Sequence, residues 1–367
     1  MNSNNDFLPI VMTLDAGGTN FVFSAMQGVR EVATPFTLPS HADNQHECQR
    51  TLVSGFERVR ESLLAPAAAI SFAFPGPADY RQGIICNLPN FPAFSGATPL
   101  GPYLQEWFGI PVYIANDGNL FAYGEACAGL LPEVNRRLEE TGSPKRFHNL
   151  LGFTLGTGFG CGVVTDGRLL TGDNDVGGDV WCLPGKRYPD MLLEESVSIR
   201  AVKRVYSRLT GDTTELTPKD IFDIAEGNRL GDAEAARHAF AEMGEMAGYG
   251  IATAVTLIDG LVVIGGGISR SHKYFMPALL GEMRRCLGTF TGSSHPRVQS
   301  EVFSLDTDME DFVRNRAQKV SLSGSAGTVY DPLKRIGVGI TRQGTSRSIS
   351  IGAYMWAIDQ MARVGKA

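Results

Sequence analysis

The sequence predicts an α/β protein of about two domains built on a duplicated motif, and three observations lead there. The chain has 367 residues, where a domain takes roughly 100–200. Short apolar runs of strand character alternate with segments whose apolar residues recur at helical spacing. A strand, a glycine-rich turn and a second strand occur together twice. The first such unit runs from Leu8 to Leu14, breaks at Asp15-Ala16-Gly17-Gly18-Thr19 and resumes from Asn20 to Met26, the pattern of a β-hairpin. Leu52 to Leu64 follows with helical spacing, and Ala68 to Phe74 reads as a buried strand ended by Pro75-Gly76-Pro77. Ile110 to Ala115 is another short strand, running directly into Asn116-Asp117-Gly118-Asn119, where a helix from Leu120 to Leu130 begins. The second hairpin pairs Leu150 to Leu155 with Gly160 to Thr165. Beyond it come a long helix from Asp232 to Ile258, a strand from Leu261 to Ile264, a Gly265-Gly266-Gly267 loop entering a helix near Tyr274 to Leu287, and a terminal helix from Ser348 to Val364. Residues Leu305 to Gly344, weakly periodic and rich in glycine and charge, are read as an insertion.

Composition narrows the function classes. Hydrophobic residues make up 43% and charged residues 20%, ordinary for a globular protein and too apolar for intrinsic disorder. Glycine is in excess, at 43 residues or about 12% against the usual ~7%, which points to tight turns and close backbone approach to a ligand. A net charge of -6 supplies no basic field for a nucleic-acid backbone, so nucleic acid is not an expected partner. The six cysteines are scattered without a Cys-x-x-Cys pair, which suits a reducing compartment. Neither a secretory signal nor an apolar run long enough to span a membrane is expected.

Three glycine-rich turns carry the chemistry. Asp15-Ala16-Gly17-Gly18-Thr19-Asn20 places a carboxylate at a strand end beside small residues whose amides can approach a phosphate. Leu155-Gly156-Thr157-Gly158-Phe159-Gly160 repeats the device, and Ile264-Gly265-Gly266-Gly267 is a strand-to-helix loop lacking the spacing of a dinucleotide fingerprint. Each alone is equally an ordinary glycine turn. Their order, with Asn116-Asp117 between the first two, is what points to a phosphate-handling site.

In that order the sequence resembles a sugar kinase of the ROK (repressor, open reading frame, kinase) family, within the actin-like ATPase superfamily. The matching segments are Leu14 to Asn20, Phe74 to Asp79, Asn87-Leu88-Pro89-Asn90-Phe91, Val112 to Asn119, Thr154 to Gly162, Val263 to Ser269 and Ile351-Gly352-Ala353-Tyr354. They run in family order over nearly the whole chain. The resemblance implies two actin-like (ribonuclease H-like) α/β domains with a ligand cleft between them, residues 1–115 plus 346–367 forming the smaller and 116–345 the larger. It also implies transfer of the γ-phosphoryl group of ATP to a hydroxyl of a hexose or hexose derivative in a cytoplasmic homodimer. Asp117 falls on the family's catalytic base; a helix N-cap is the structural alternative. Asn90 and Asn116 fall on sugar-hydroxyl ligands, and Glu125 either orients the site from behind or is structural. Asp15 is implied as the magnesium ligand, through water. Gly17, Gly18 and Thr19 would face the β/γ-phosphates, Gly156, Thr157 and Gly158 the phosphates from the other domain, and Gly265, Gly266 and Gly267 the adenosine.

One segment departs from the family. Members with a structural zinc carry Glu-x-Gly-His, then a Cys-x-Cys-Gly-x-x-Gly-Cys cluster, then a glutamate. Here Asp179 stands for the glutamate and Cys182 for the histidine, the cluster cysteines are absent, and Glu194 follows after a shortened loop. A tetrahedral zinc site takes four ligands, so no zinc is expected, and Trp181 and Leu183 are expected to anchor the segment by packing. Glu194 keeps the sugar-binding position, whereas Asp179 and Cys182 alter the part of the pocket that selects the sugar. Two further readings stay beside the kinase: a non-catalytic sugar-sensing regulator of the same family, and an actin-like ATPase that drives a protein partner.

Overall fold

The computed structural model describes residues 8–364 apart from 18, 87–91, 93, 95, 324 and 325; the expectations for Gly18 and Asn90 lie outside the described residues. The chain forms two compact units, one of residues 1–129, 168–177 and 343–367 and the other of residues 130–167 and 178–342.

In the first unit, β1 (Ile10–Ala16), β2 (Asn20–Gln27), β3 (Arg30–Pro39), β4 (Ala67–Ala73) and β5 (Val112–Ala115) form a sheet in the order β3-β2-β1-β4-β5. β1 runs antiparallel to β2 and parallel to β4, and β4 parallel to β5. Alternation along β1 gives the sheet two buried faces. Ile10, Met12 and Leu14 pack with Leu52 and Phe56 of helix α1 (Gln45–Ser62) and with Leu100 and Leu104 of α2 (Leu100–Phe108). Val11 packs on the opposite side with Ile351, Tyr354 and Ala357 of the C-terminal helix (Thr345–Val364). That helix crosses α3 (Asp117–Ala128), and glycine is what lets the backbones meet. A Cβ at Gly124 would lie 1.9 Å from Ser348 O, and one at Gly352 would lie 1.9 Å from Leu120 O.

The second unit opens with α4 (Leu130–Glu140) and repeats the sheet plan. Its strands β6 (Leu150–Leu155), β7 (Phe159–Thr165), β8 (Leu261–Gly265), β9 (Glu301–Ser304) and β10 (Arg335–Ile340) run in the order β7-β6-β8-β10-β9. Again an antiparallel hairpin leads into parallel neighbours. β8 is fully buried from Leu261 to Ile264, as a strand covered on both faces must be. Helices α5 (Ile199–Thr210), α6 (Pro218–Glu226), α7 (Ala233–Ile258) and α8 (His272–Met283) complete the unit. α7 begins at Asp232, whose carboxylate accepts from the Ala235 N–H at 2.9 Å.

The structure corrects the reading of residues 305–344 as an insertion. Arg335–Ile340 lies inside the sheet, parallel to β8 on one side and β9 on the other. Both of its glycines are needed there, since a Cβ at Gly337 would lie 2.6 Å from the Leu305 side chain and one at Gly339 3.1 Å from it.

Candidate active site

In the first unit the parallel course of β1, β4 and β5 brings their C-terminal ends to one edge. Ligand sites of α/β sheets form at such edges. Asp15 stands there in β1, opposite Ala73 of β4, and the chain turns back with the Gly17 N–H donating to Asn20 O at 3.0 Å. β5 ends at Ala115, and Asn116 caps α3 in extended conformation, its Oδ1 accepting from the Gly118 N–H at 2.9 Å. Asn116 Nδ2 reaches Tyr80 Oη at 3.5 Å, and that hydroxyl donates to Phe74 O at 3.0 Å. The cap is therefore Asn116. Asp117 is the first helical residue, with Oδ1 also accepting from Gly118 N–H at 2.8 Å.

Asp117 is exposed, so its carboxylate can be reached by a ligand. The protein crowding it strips hydration and pushes its carboxyl above the ordinary carboxylate value; the charge of Asp15 adds to this, and the Gly118 N–H works against it. Two carboxylates far apart in sequence, one ending a strand and one opening a helix, thus sit within electrostatic reach of each other. Glu125, by contrast, is fully buried and accepts from Ser348 Oγ of the C-terminal helix at 2.6 Å, so it ties α3 to that helix.

In the second unit the ends of β6 and β8 bring two glycine loops together. Gly266 adopts φ 89°, and a Cβ there would lie 2.3 Å from Leu155 O. Gly156 N–H closes its turn onto Gly158 O at 3.0 Å. Open space surrounds the missing Cβ atoms of Gly156 and Gly267, which is the room a phosphate or nucleoside needs for close backbone approach. Gly267 opens a short helical turn to Ser271, with Ser269 Oγ donating to Gly266 O at 2.7 Å.

Glu194 lies against the first of these loops. Its Oε2 accepts from the Phe159 N–H at 3.0 Å and would sit 2.5 Å from a Cβ at Gly158. Arg200 donates to Glu194 Oε1 at 3.1 Å, to Glu195 Oε1 at 2.8 Å and to Thr157 O at 3.3 Å. Arg200 escapes a motif reading; its only signal is a cation in the first turn of α5, six residues after Glu194.

Asp179 and Cys182 occupy a short helical turn linked to Glu194 by backbone pairing. Pro184 bridges Leu192, and the Leu193 N–H donates to Leu183 O at 2.7 Å. Cys182 Sγ donates to Asp179 O at 2.9 Å. Loss of hydration raises the Asp179 carboxyl, and a hydrogen bond from Trp181 lowers it. The anchor expected of Trp181 is corrected: Trp181 is 38% exposed, whereas Val180 is 8% exposed and Leu183 packs on the core. The Trp181 indole hydrogen-bonds Asp179 instead.

The ROK family profile matches residues 11–302. The chain is similar to a glucokinase of Parabacteroides distasonis ATCC 8503 whose crystal structure is known, at 56% identity and a TM-score of 0.87, covering 98% of this chain and 99% of that one. It is 28% identical to a glucokinase of Thermotoga maritima, over 73% of this chain and 89% of that protein. It is also 28% identical to an N-acetyl-D-glucosamine kinase of Vibrio parahaemolyticus, over 70% and 83%. A ROK family glucokinase of Streptomyces griseus, solved in complex with glucose and AMPPNP, shares the fold at 18% identity and a TM-score of 0.61, over 95% of this chain and 98% of that one. Two mixed α/β units, each centred on a sheet, are the architecture of this actin-like fold.

Proposed function

The chain belongs to the ROK family, and from that premise we propose that it transfers the γ-phosphoryl group of ATP to a hydroxyl of glucose or a related hexose, with Asp117 as general base. It is an ATP-dependent carbohydrate kinase. One observation carries the finer reading: an exposed aspartate at a strand-end edge, its carboxyl raised by crowding and by the neighbouring Asp15. A raised carboxyl is a better proton acceptor at neutral pH than an ordinary one. Asp117 takes the proton from the acceptor hydroxyl as its oxygen attacks the γ-phosphorus. The proton moves to Asp117, the new bond forms to the sugar oxygen, and the bond to the β-phosphate oxygen breaks, leaving ADP. Asn116 and Asn90 orient the sugar hydroxyls by donating and accepting, with Glu194, Asp179 and Cys182 completing the sugar pocket. Gly17, Gly18 and Thr19 and the Gly156 to Gly158 loop approach the phosphates through their amides, and Gly265 to Gly267 lie under the adenosine. Asp15 would hold Mg²⁺, which supplies charge neutralisation for the triphosphate. The same reading has the enzyme working without zinc, as a cytoplasmic homodimer.

Relatives named as glucokinases and N-acetylglucosamine kinases set the test. A coupled assay of ATP consumption over hexoses, N-acetylhexosamines and pentoses is expected to show turnover with glucose or a close derivative. Absence of turnover across the panel, with sugar still binding by calorimetry, would identify a sugar-sensing regulator instead.

A further inference from the structure

The segment that carries Asp179, Cys182 and Glu194 folds back on itself. Its two arms pair through the Gly185 N–H to Met191 O at 2.9 Å, the Leu193 N–H to Leu183 O at 2.7 Å and the Pro184–Leu192 bridge. Asp179 and Cys182 come just before the first arm and Glu194 just after the second, so whatever fixes the tip orients both sides. Apolar packing does not fix it, because every residue from Arg187 to Leu192 is exposed, and a stretch with few buried contacts opens locally at little cost.

Charge holds the tip instead. Lys186 Nζ donates to Glu245 Oε1 at 2.5 Å and to Glu282 Oε2 at 2.8 Å, joining α7 to α8. Arg187 pairs with Glu242 Oε2 at 2.8 Å and donates to Glu245 Oε2 at 3.1 Å, two carboxylates three residues apart and so on one face of α7. These acceptors stand on a rigid frame. Glu242 and Glu282 are only 6% and 4% exposed. The two helices cross so closely that a Cβ at Gly244 would lie 2.2 Å from Phe275 O and one at Gly248 2.4 Å from Leu279 O. Glu242 and Glu282 also keep cations of their own, Arg208 at 2.7 Å from the first and Arg297 at 2.5 Å from the second. Glu245 differs: among the described residues its ion pairs are with Lys186 and Arg187 alone. It is a carboxylate of the frame that serves the loop.

Ion pairs on partly buried carboxylates are directional as well as attractive, because both partners are ionised and hydrogen-bonded. Two adjacent cations on three carboxylates therefore fix where the tip lies and how it is turned. We propose that Lys186 and Arg187, held by Glu242, Glu245 and Glu282, are positioning residues that place Asp179, Cys182 and Glu194 and thereby set the affinity for the sugar; this rests on the reading of those three as sugar-pocket residues. Neither cation touches the sugar. Their effect passes through the paired arms, where a displacement of about 1 Å is enough to misplace polar contacts.

The test compares the double variant Lys186→Met with Arg187→Met, the single variant Glu245→Gln and the charge-keeping Lys186→Arg, all in the full chain. Methionine keeps an apolar stem and removes the charge. Calorimetry with glucose and N-acetyl-D-glucosamine as separate probes is expected to show sugar affinity weakened about tenfold or more in the double variant. Glu245→Gln should weaken it in the same direction, and Lys186→Arg should stay within about threefold of the wild type. In the coupled assay the KM for sugar should rise with the loss of affinity, while kcat at saturating sugar and the KM for ATP stay within about twofold. Hydrogen exchange of residues 183–193 should quicken in the double variant while β6 and β8 stay protected. Unchanged sugar affinity in the double variant would overturn the positioning role, whether or not exchange quickens. A fall in kcat matching the fall in affinity, with a lowered melting temperature, would also overturn it and mark the ion pairs as structural only. A wild type that binds neither sugar would instead overturn the sugar-pocket reading, and this inference with it.

Discussion

The raised carboxyl that suits Asp117 to the proposed proton transfer comes at a cost to the fold. The ordinary carboxyl titrates near 3.8, and in the folded chain this one titrates higher, so the native state keeps its proton to higher pH than the unfolded chain. Stability is then lost as pH rises from the unfolded value through the raised folded one, and above that window the ionised group is a constant penalty. Asp117→Asn is accordingly expected to raise the melting temperature at pH 7 and to bring no gain near pH 3, where both states are protonated. It should lower kcat by about 10²–10⁴-fold. Differential scanning fluorimetry at the two pH values, beside the coupled assay, checks both halves. Near-normal turnover would remove Asp117 from the mechanism. Arg200 poses a second residue-scale question, since it braces the Thr157 carbonyl and Glu194 together. It is exposed, and surface ion pairs contribute only about 0–1 kcal/mol to stability. Arg200→Ala should leave the melting temperature nearly unchanged yet lower kcat/KM for ATP by about tenfold, because small misplacements near a reacting centre are costly.

At the scale of elements, the crossing of α3 with the C-terminal helix depends on two glycines. The atoms a Cβ would strike at Gly124 and Gly352 are backbone carbonyl oxygens, which cannot swing aside as a side chain can. Gly124→Ala or Gly352→Ala should therefore destabilise by about 3 kcal/mol or more, the upper end of overpacking costs. Gly281, inside α8, meets nothing within 4 Å. There the ordinary helical preference operates, and Gly281→Ala should stabilise by about 0.5–1 kcal/mol. Urea unfolding of the three variants gives a direct comparison, and a loss at all three positions would show that helix propensity, not packing, has been misjudged. The same crossing explains the Ile351-Gly352-Ala353-Tyr354 segment: the glycine permits approach while Ile351, Ala353 and Tyr354 are buried.

For the whole molecule, the segment from Asp179 to Leu193 is expected to bear on two properties at once. It is closed by the Pro184–Leu192 bridge, the Leu183 carbonyl and the burial of Val180, contacts that need no metal ligand. Metal analysis of the purified protein should find no stoichiometric zinc, and a zinc-selective chelator should leave the melting temperature unchanged; a loss of structure on chelation would overturn this. The sugar panel reads the second property, since in the proposed sugar pocket Asp179 and Cys182 stand where groups of different reach are expected. A buried sugar hydroxyl left without its partner costs about 1–3 kcal/mol, enough to shift preference about tenfold, so the ranking of glucose against its derivatives measures what these replacements do.

Local chemistry made much of this protein legible without coordinates. The glycine turn after Asp15, the second hairpin, the long helix after Asp232 and the polar start of α3 each follow from residues adjacent in the chain, whose turn and capping preferences act over a few positions. The tertiary structure decided what depends on partners distant in sequence. Arg335–Ile340 reads as a glycine-rich loop until β8 and β9 flank it and Leu305 fills the space its glycines leave. Asp15 perturbs Asp117 only because parallel strands carry both to one sheet edge. Arg200 becomes a brace, and Trp181 an exposed hydrogen-bond donor, only once Glu194 and Asp179 stand beside them. Sequence spacing encodes local geometry, and contacts across the sheet are set by packing.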